Sequence, residues 1–315
     1  MPARGDLLTQ LELAAALRNY LPASLERQCL LGDEIEAPHL CTQHLAALLR
    51  AISTYLPRQV VVPLLADPKP GQAKGSFSYG TVMFADISGF TSMSERLSRL
   101  GKEGAEEIAA IVNRFFAPLL EVTDHYGGDL LKFGGDALLV FFGGENQAFR
   151  ACLAALEMQD TMSRFSETPT SQGIFQLRMT IGLGTGPLFM AHLGSEDGME
   201  FAVMGRAMAQ MAQAENQAGA GEIFIDAETY QAIKVQAIIG KTQDDFYQLV
   251  GFQGSMPDLN SSLEDPLAAI SSPSPRNDVH TWIAEQLARP GAGAFPAARP
   301  DGQDQTGART DRHRW

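Results

Sequence analysis

The segment LLKFGGDALLVFF, residues 130–142, constrains the fold more than any other part of the chain. Two apolar runs flank Gly134-Gly135-Asp136, and a glycine turn between apolar runs predicts a β-hairpin. A third apolar run, YGTVMFAD, is typical of a strand and ends at Asp86, just before a turn of small residues. The sequence therefore predicts two aspartates at the ends of two hydrophobic strands.

Helices and strands alternate through the centre of the chain. The runs EEIAAIVNRFFAPLLEVTDHY and QAFRACLAALEMQDTMSRF have the apolar spacing of amphipathic helices. We expect FQLRMTIGLGTG and LFMAHLG to form a second hairpin broken at Gly186-Pro187. MEFAVMG predicts a short strand before a helix that starts near Arg206, and GEIFID a strand before the helix AETYQAI. The order β-α-β-β-α-β predicts an α/β fold of the α+β sandwich type, a ferredoxin-like palm with a mainly antiparallel sheet.

The chain divides into three parts by composition. Residues 6–66 have the apolar spacing of helices, and DPKPGQAKGS, residues 67–76, has the Pro and Gly content of a linker. Beyond about residue 256 the chain is rich in Pro, Gly, Ser and Ala, which is typical of disordered segments. We therefore assign an N-terminal helical segment and linker, a main domain, and a mostly disordered tail or linker to residues 1–72, 73–255 and 256–315.

Charge and composition exclude several classes of function. The formal net charge of −13 and the pI near 4.9 argue against a nucleic-acid binder, which needs a clustered basic surface. No apolar run reaches the roughly 18 residues that span a bilayer, and the N-terminus lacks the apolar region of a signal peptide. Cys29, Cys41 and Cys152 lack metal-type spacing and are expected to be reduced thiols. We therefore expect a cytoplasmic protein without nucleic-acid or membrane partners.

Carboxylates at two strand ends suit a site for divalent cations beside a polyphosphate. Mg²⁺ takes one or two carboxylates and fills the rest of its shell with phosphate oxygens and water. Residues 87–91 offer backbone N–H groups near a helix N-terminus, which suits phosphate. Alone, Asp86 could be a helix N-cap, and Asp136 could be a turn residue. Lys132, four residues before Asp136, favours a functional interpretation of the pair.

In four motifs the sequence resembles the class III nucleotidyl cyclases, which make cyclic AMP or cyclic GMP. The motifs are FADISGFTSMSERL, YGGDLLKFGGDALLVFF, TIGLGTG and EFAVMG, and the resemblance covers about residues 77–235. In style the chain is most similar to the first, metal-bearing domain of bacterial relatives of the soluble adenylyl cyclases. Those relatives often carry two unlike cyclase domains in one chain.

The resemblance implies a reaction that uses two Mg²⁺ or Mn²⁺ ions. The ribose 3′-hydroxyl of ATP would attack the α-phosphorus and release pyrophosphate, and GTP is the alternative substrate. Asp86 and Asp136 would hold the ions, with the Ile87 carbonyl as a further ligand, and Lys132 would reach the purine edge. The triphosphate would be covered by the turn of Ser88, Gly89, Phe90 and Thr91.

The chain departs from the family where a partner domain contributes residues. In the family an Asp or Thr reads the purine, an Asn orients the ribose and an Arg contacts the phosphate. Aligned on the EFAVMG motif, those positions hold Ala202, Ala209 and Gln213, which cannot perform these roles. Such an arginine is worth roughly 10³–10⁵ in rate in phosphoryl transfer. Arg206 lies one turn earlier on the same helix face, from where it could reach a phosphate in place of the missing arginine. A solvated arginine at a helix start is the simpler interpretation.

The resemblance therefore implies one half of a composite site. A homodimer would repeat the same deficiency at both symmetric sites, whereas a complementary cyclase domain would complete one of them. The chain ends about where two-domain relatives begin a second domain. We therefore expect either a metal-donor subunit or a chain cut short of its second half.

Two other functions compete with this interpretation. The domain could be a catalytically inactive, nucleotide-binding regulatory domain that keeps Mg-ATP binding and has lost turnover. It could also be a diguanylate cyclase, which shares the palm-like fold and a GGD turn. Ala137-Leu138 after the turn, together with the FADISGFT strand, disfavours that family.

Overall fold

The computed structural model describes residues 20–25, 37–53, 55–66, 71–195 and 198–254. The helices of this part of the chain are α1 (Ala37–Ser53), α2 (Arg58–Ala66), α3 (Phe90–Ser98), α4 (Lys102–His125), α5 (Gln147–Ser163), α6 (Arg206–Gln217) and α7 (Ala227–Ile233). The strands are β1 (Lys74–Ser88), β2 (Asp129–Phe133), β3 (Ala137–Gly143), β4 (Thr168–Thr170), β5 (Gly173–Phe175), β6 (Arg178–Ser195), β7 (Gly198–Met204), β8 (Ile223–Ile225), β9 (Ala237–Gln243) and β10 (Phe246–Phe252). The tail assigned to residues 256–315 lies outside the described residues.

One mainly antiparallel sheet organises the main domain. Its strands follow the order β2-β3-β1-β6-β8-β10-β9, and β7 pairs with the far end of β6. β1 is antiparallel to both of its neighbours, β3 and β6, whereas β6 and β8 form a parallel pair. The expected α+β architecture with N-terminal helices is confirmed. Because β1 has a partner on each side, both β3 and β6 can place groups beside its end.

The alternation of side chains along β1 separates two packed layers. Ala85 and Ile87 belong to the main core, which β1 forms with α3, α4, α5 and α7. Phe84 packs against a second cluster on the opposite face, where α6 lies. Successive strand residues face opposite sides of a sheet, so the side chain of Asp86 lies on the α6 face.

β6 is one continuous strand, so the prediction of a hairpin broken at Gly186-Pro187 is wrong. It runs from Arg178 to Ser195 and pairs with β1 along most of its length. The Pro187 carbonyl faces the β7 side, because its oxygen is 2.8 Å from the point where a Cβ of Gly205 would lie. The N–H that Pro187 lacks is on that same side of the strand, so no hydrogen bond to β1 is lost. The hairpin instead joins β6 to β7.

Two further elements differ from the sequence predictions. β1 begins at Lys74, so the last three residues of the segment 67–76, which was predicted to be a linker, belong to the strand. The β9–β10 hairpin was missed, although its turn residues Asp244 and Asp245 have φ values of 45° and 65°. Aspartate tolerates these left-handed values, which two-residue hairpin turns require. The Asp-Asp pair between AIIGKTQ and the apolar run FYQLV was therefore the available signal.

The cysteines differ from one another in state. Cys152 is a free thiol in the main core, and burial raises its pKa well above the usual range. Cys41 is disulfide-bonded, so the expectation of a reduced thiol is wrong at that position. Cys29 lies outside the described residues.

No helix in the described ranges is both long and apolar enough to cross a bilayer.

A buried carboxylate joins the N-terminal helices to the sheet. Asp129, the first residue of β2, accepts hydrogen bonds from the amides of Arg58 and Gln59 at 2.7 and 3.0 Å. These are the first two amides of α2, so Asp129 caps that helix from another element. Burial raises the pKa of Asp129, and the two amides oppose this effect. Arg58 also forms an ion pair with the exposed Asp124.

We expect Asp129→Ala to lower the free energy of unfolding by about 1–2 kcal/mol, because two helix amides lose their acceptor. Asp124→Ala removes an exposed ion pair at the same helix end and should cost less than about 1 kcal/mol. Urea denaturation of both variants measures the difference. Equal losses in the two variants would show that the cap has no special role.

Two glycines of β6 allow α6 to touch the sheet. A Cβ on Gly182 would lie 2.4 Å from the Glu215 amide nitrogen and 2.5 Å from the Met211 carbonyl oxygen. A Cβ on Gly184 would lie 2.5 Å from the Ala207 carbonyl oxygen. These are helix backbone atoms, which no side-chain movement can displace. The motif TIGLGTG therefore determines how closely α6 approaches β6.

Gly182→Ala should destabilise the domain by about 1–3 kcal/mol, because α6 must move away from the sheet. Gly251→Ala in β10 is a matched control, since the nearest atom to its Cβ would be 4.0 Å away. Thermal unfolding of both variants tests the contact. A melting temperature for Gly182→Ala equal to that of the control would contradict it.

Candidate active site

Asp86 and Asp136 meet at the junction of β1 and β3. Asp86 is opposite Ala137 in the antiparallel register, and Asp136 directly precedes Ala137 at the end of the β2–β3 turn. Opposite residues of an antiparallel pair have Cα atoms about 4.5–5.5 Å apart, so the two aspartates are close neighbours. The structure thus brings together the two carboxylates that the sequence singled out.

Both carboxylates are half-buried and remain accessible from solvent. Burial raises the pKa of Asp86, and the negative charges of Asp136 and Glu215 raise it further. A hydrogen bond from the Ile87 amide opposes these effects. Like charges are therefore held close together at the end of β1, and a cation bound there would relieve their repulsion.

Glu215 is a third carboxylate at this site, and sequence analysis missed it. Its Oε1 accepts a hydrogen bond from Thr180 Oγ1 at 2.8 Å, and Thr180 is opposite Asp86 in the β1–β6 register. The position of Glu215 depends on the packing of α6 across Gly182 and Gly184. The two glycines were a signal of close helix packing, but their spacing does not reveal which helix residue they bring to the site.

Lys132 lies on the same face of the sheet as Asp86. β2 has an irregularity between Leu130 and Lys132, which leaves Lys132 opposite Leu139 of β3. Leu139 packs with the cluster beneath α6, so Lys132 lies on the α6 face, where it is exposed. Two strand spacings of about 4.8 Å separate β2 from β1. Lys132 can therefore contact the far end of a ligand that is held at Asp86.

The turn between β1 and α3 requires glycine at position 89. Gly89 precedes α3 with a φ of 93° and without a side-chain cap hydrogen bond. Any other residue there would place its Cβ 2.4 Å from the Gln176 carbonyl oxygen. The close contact holds the turn against the segment that leads into β6. Asp86 does not cap α3, so the interpretation of Asp86 as an N-cap is wrong.

The rest of the turn exposes backbone groups to the site. The Ile87 side chain is buried in the main core, so only the backbone groups of this residue can contact a ligand at the site. The turn residues Ser88 and Phe90 are half-buried, and Thr91 is exposed. Because no side chain caps α3, its first amides can donate to an anion, as helix N-termini commonly do.

The positions aligned with partner-domain functions form a separate group. Ala202 is half-buried on β7, opposite Ala191. Ala209 and Gln213 are exposed on α6, four residues apart and hence on one helix face. Arg206, the first residue of α6, is also exposed. This surface is available to a second domain, but its side chains at 209 and 213 offer neither an Asn nor an Arg.

The donor set fits a hard divalent cation. Carboxylate and carbonyl oxygens are the ligands that Mg²⁺ and Mn²⁺ prefer. Within the described ranges, no group of three or more His, Cys, Asp or Glu side chains is arranged to hold a metal ion. The protein would therefore supply two carboxylates and a backbone carbonyl, and water and phosphate would supply the other ligands.

Residues 73–256 match the family described as the adenylate and guanylate cyclase catalytic domain. This match covers more than half of the chain, and the paired aspartates lie inside it. The chain therefore belongs to this family of cyclase domains.

Individual relatives share this region with the chain. Adenylate cyclase type 10 of Oryctolagus cuniculus is 30% identical over 183 residues, which cover 57% of this chain and 11% of that protein. Adenylate cyclase 1 of Rhizobium meliloti is 24% identical over 155 residues, which cover 48% of this chain and 22% of that protein. The chain thus spans a minor part of the length of these relatives. The structure of a bacterial light-regulated adenylyl cyclase has the same fold, with a TM-score of 0.53 at 17% identity over 81% of this chain and 70% of that chain.

We expect the chain to bind Mn²⁺ and to lose this binding in Asp86→Asn and Asp136→Asn. Loss of a ligand should exceed the roughly 10–100-fold effect of losing a group that only supports a ligand. Glu215→Gln removes a charge without removing a ligand and should weaken binding by a smaller factor. Electron paramagnetic resonance of free Mn²⁺ measures the affinities.

Asp160→Asn is the control for this titration, because Asp160 is exposed on α5 and pairs with Arg164. An equal effect of Asp160→Asn and Asp86→Asn would show that Mn²⁺ responds to net charge and that the paired aspartates do not form a site.

Proposed function

We propose that residues 73–255 are the metal-bearing half of an adenylate cyclase, which converts ATP to 3′,5′-cyclic AMP and pyrophosphate once a second cyclase domain completes the site. The observation that carries this proposal is the meeting of Asp86 and Asp136 at an accessible strand end, on the sheet face that also carries Lys132. Membership of the cyclase family supports the reaction class.

Asp86, Asp136 and the Ile87 carbonyl would hold two Mg²⁺ or Mn²⁺ ions. Such ions, when bound, activate the attacking hydroxyl and neutralise charge on the leaving pyrophosphate. The amides of the turn 88–91 would donate to phosphate oxygens and orient the α-phosphorus toward the ribose 3′-hydroxyl. Lys132 would donate a hydrogen bond to the purine edge.

The exposed face of α6 supports the need for a second domain. Ala209 cannot orient a ribose, and Gln213 brings no positive charge to the transition state. Both are exposed, so neither is occupied with packing inside this domain. A two-fold homodimer would place the same deficient face at both sites, whereas a complementary domain would supply an Asn and an Arg to one of them.

ATP is proposed as the substrate because the relatives at 30% and 24% identity carry the name adenylate cyclase. The family includes guanylate cyclases, and Ala202 has no polar group to read a base. Parallel assays with ATP and GTP therefore belong to the test.

Complementation between two copies of this chain tests the proposal. One copy is wild type, and the other combines Asp86→Asn and Asp136→Asn with Ala202→Thr, Ala209→Asn and Gln213→Arg. Each copy alone should form little cyclic AMP with Mn²⁺ and ATP, because each lacks half of the site. The mixture should be faster by roughly 10³-fold or more, the usual contribution of a transition-state arginine.

The matched control is a second copy that carries the two aspartate substitutions alone, and its mixture with wild type should stay inactive. High activity of the wild-type homodimer that survives both Gln213→Ala and Arg206→Ala would refute the division of roles.

A nucleotide-binding regulatory domain is the second candidate, and the residues at positions 209 and 213 are the observation that favours it. Such a domain would bind Mn-ATP through Asp86 and form no product in any pairing. Calorimetry alongside the complementation assay separates the two functions.

A further inference from the structure

Arg178 places a positive charge beside the turn of the candidate site. It is the first residue of β6 and lies opposite Ser88 in the β1–β6 register. Side chains at directly opposite positions have Cβ atoms about 4.5–5.5 Å apart. The extended arginine side chain is longer than this separation, so it can reach across the turn that follows β1.

Arg178 lies on the same face of the sheet as Asp86. Its neighbours Leu177 and Met179 are buried in the main core on the other face. Alternation along β6 therefore places Arg178 with Thr180, and Thr180 is opposite Asp86. One step of two residues, about 6.6 Å, separates the level of Arg178 from that of Asp86.

The guanidinium group is exposed and has no hydrogen-bond, ion-pair or ring partner among the described residues. Several other arginines of the main domain are engaged elsewhere, although Arg99 and Arg206 have no such partner in the described ranges either. Arg150 donates to several backbone carbonyls, and Arg96 lies over the Phe175 ring. An arginine that stands next to a cluster of carboxylates without pairing to one of them is available to an anionic ligand.

The contact between Gly89 and Gln176 holds Arg178 and the turn in a fixed relation. A Cβ on Gly89 would lie 2.4 Å from the Gln176 carbonyl oxygen, so the backbones of the two segments touch there. Gln176 is two residues before Arg178. An anion that accepts hydrogen bonds from the turn amides is therefore also within reach of the guanidinium.

We propose that Arg178 binds the terminal phosphates of the nucleotide, from the same domain that holds the ions. This inference rests on the proposed function and adds a phosphate-binding residue to it. A triphosphate bound to ions at Asp86 would extend along the turn toward Ser88 and Arg178. The planar guanidinium can donate two parallel hydrogen bonds to one phosphate group.

The test compares the binding of free Mn²⁺, Mn-ATP and Mn-tripolyphosphate to the full chain. Arg178→Ala should weaken Mn-ATP and Mn-tripolyphosphate by about tenfold or more, the usual effect of losing a charged hydrogen bond. It should leave free Mn²⁺ binding unchanged or tighter, because a positive charge beside the carboxylates is removed. Arg178→Lys keeps the positive charge but cannot donate two parallel hydrogen bonds, so its affinity should lie between those of Arg178→Ala and wild type.

Arg164→Ala is the matched control, since Arg164 is exposed at the end of α5 and pairs with Asp160. It should change none of the three affinities. If Arg178→Ala weakens free Mn²⁺ as much as Mn-tripolyphosphate, the residue is structural and the inference is overturned.

The same titrations separate this inference from the proposed function. If wild type binds Mn-ATP and Asp86→Asn abolishes the binding while Arg178→Ala does not change it, only the role of Arg178 is lost. If wild type shows no Mn²⁺ or Mn-ATP binding that depends on Asp86, both the metal site and the role of Arg178 are refuted.

Discussion

β1 pairs with β3 on one side and with β6 on the other, and the registers of these two pairings determine which residues lie next to Asp86. Asp86 lies between Ala137 and Thr180 in these two registers, so the β2–β3 turn and the end of α6 both converge on it. A slip of one residue in either pairing would turn the carboxylate into the main core, because side chains alternate between faces. The long, continuous β6 supports this register by pairing with β1 far beyond the site.

Local patterns were sufficient for the parts of the site that lie on one hairpin or one turn. The glycine turn before Ala137 and the apolar strand before Asp86 are visible in a few residues, and both aspartates followed from them. Glu215 and Arg178 could not be found in this way, because their positions depend on the crossing of α6 and on the register of β6. The predicted break of β6 at Pro187 was wrong for a related reason, because only the fold shows on which side of the strand the N–H is missing.

The charges of the site are unevenly distributed. Carboxylates occupy its centre, where Asp136 and Glu215 both raise the pKa of Asp86. The positively charged side chains, Lys132 and Arg178, lie at its edges and are exposed. This arrangement suits a ligand whose bound cations are central and whose anionic and aromatic parts extend outward. Because the net charge of the protein is −13, its overall field does not attract phosphate, and local positive charges have to do so.

Asp129 connects helix α2 to the β2–β3 hairpin. Asp129 accepts hydrogen bonds from the first two amides of α2, and it is also the first residue of β2, a strand of only five residues. A displacement of α2 would therefore move the start of β2, and with it Lys132 and the glycine turn that follows the strand. A change in the position of α2 would thus alter the candidate site without any ligand binding to that site.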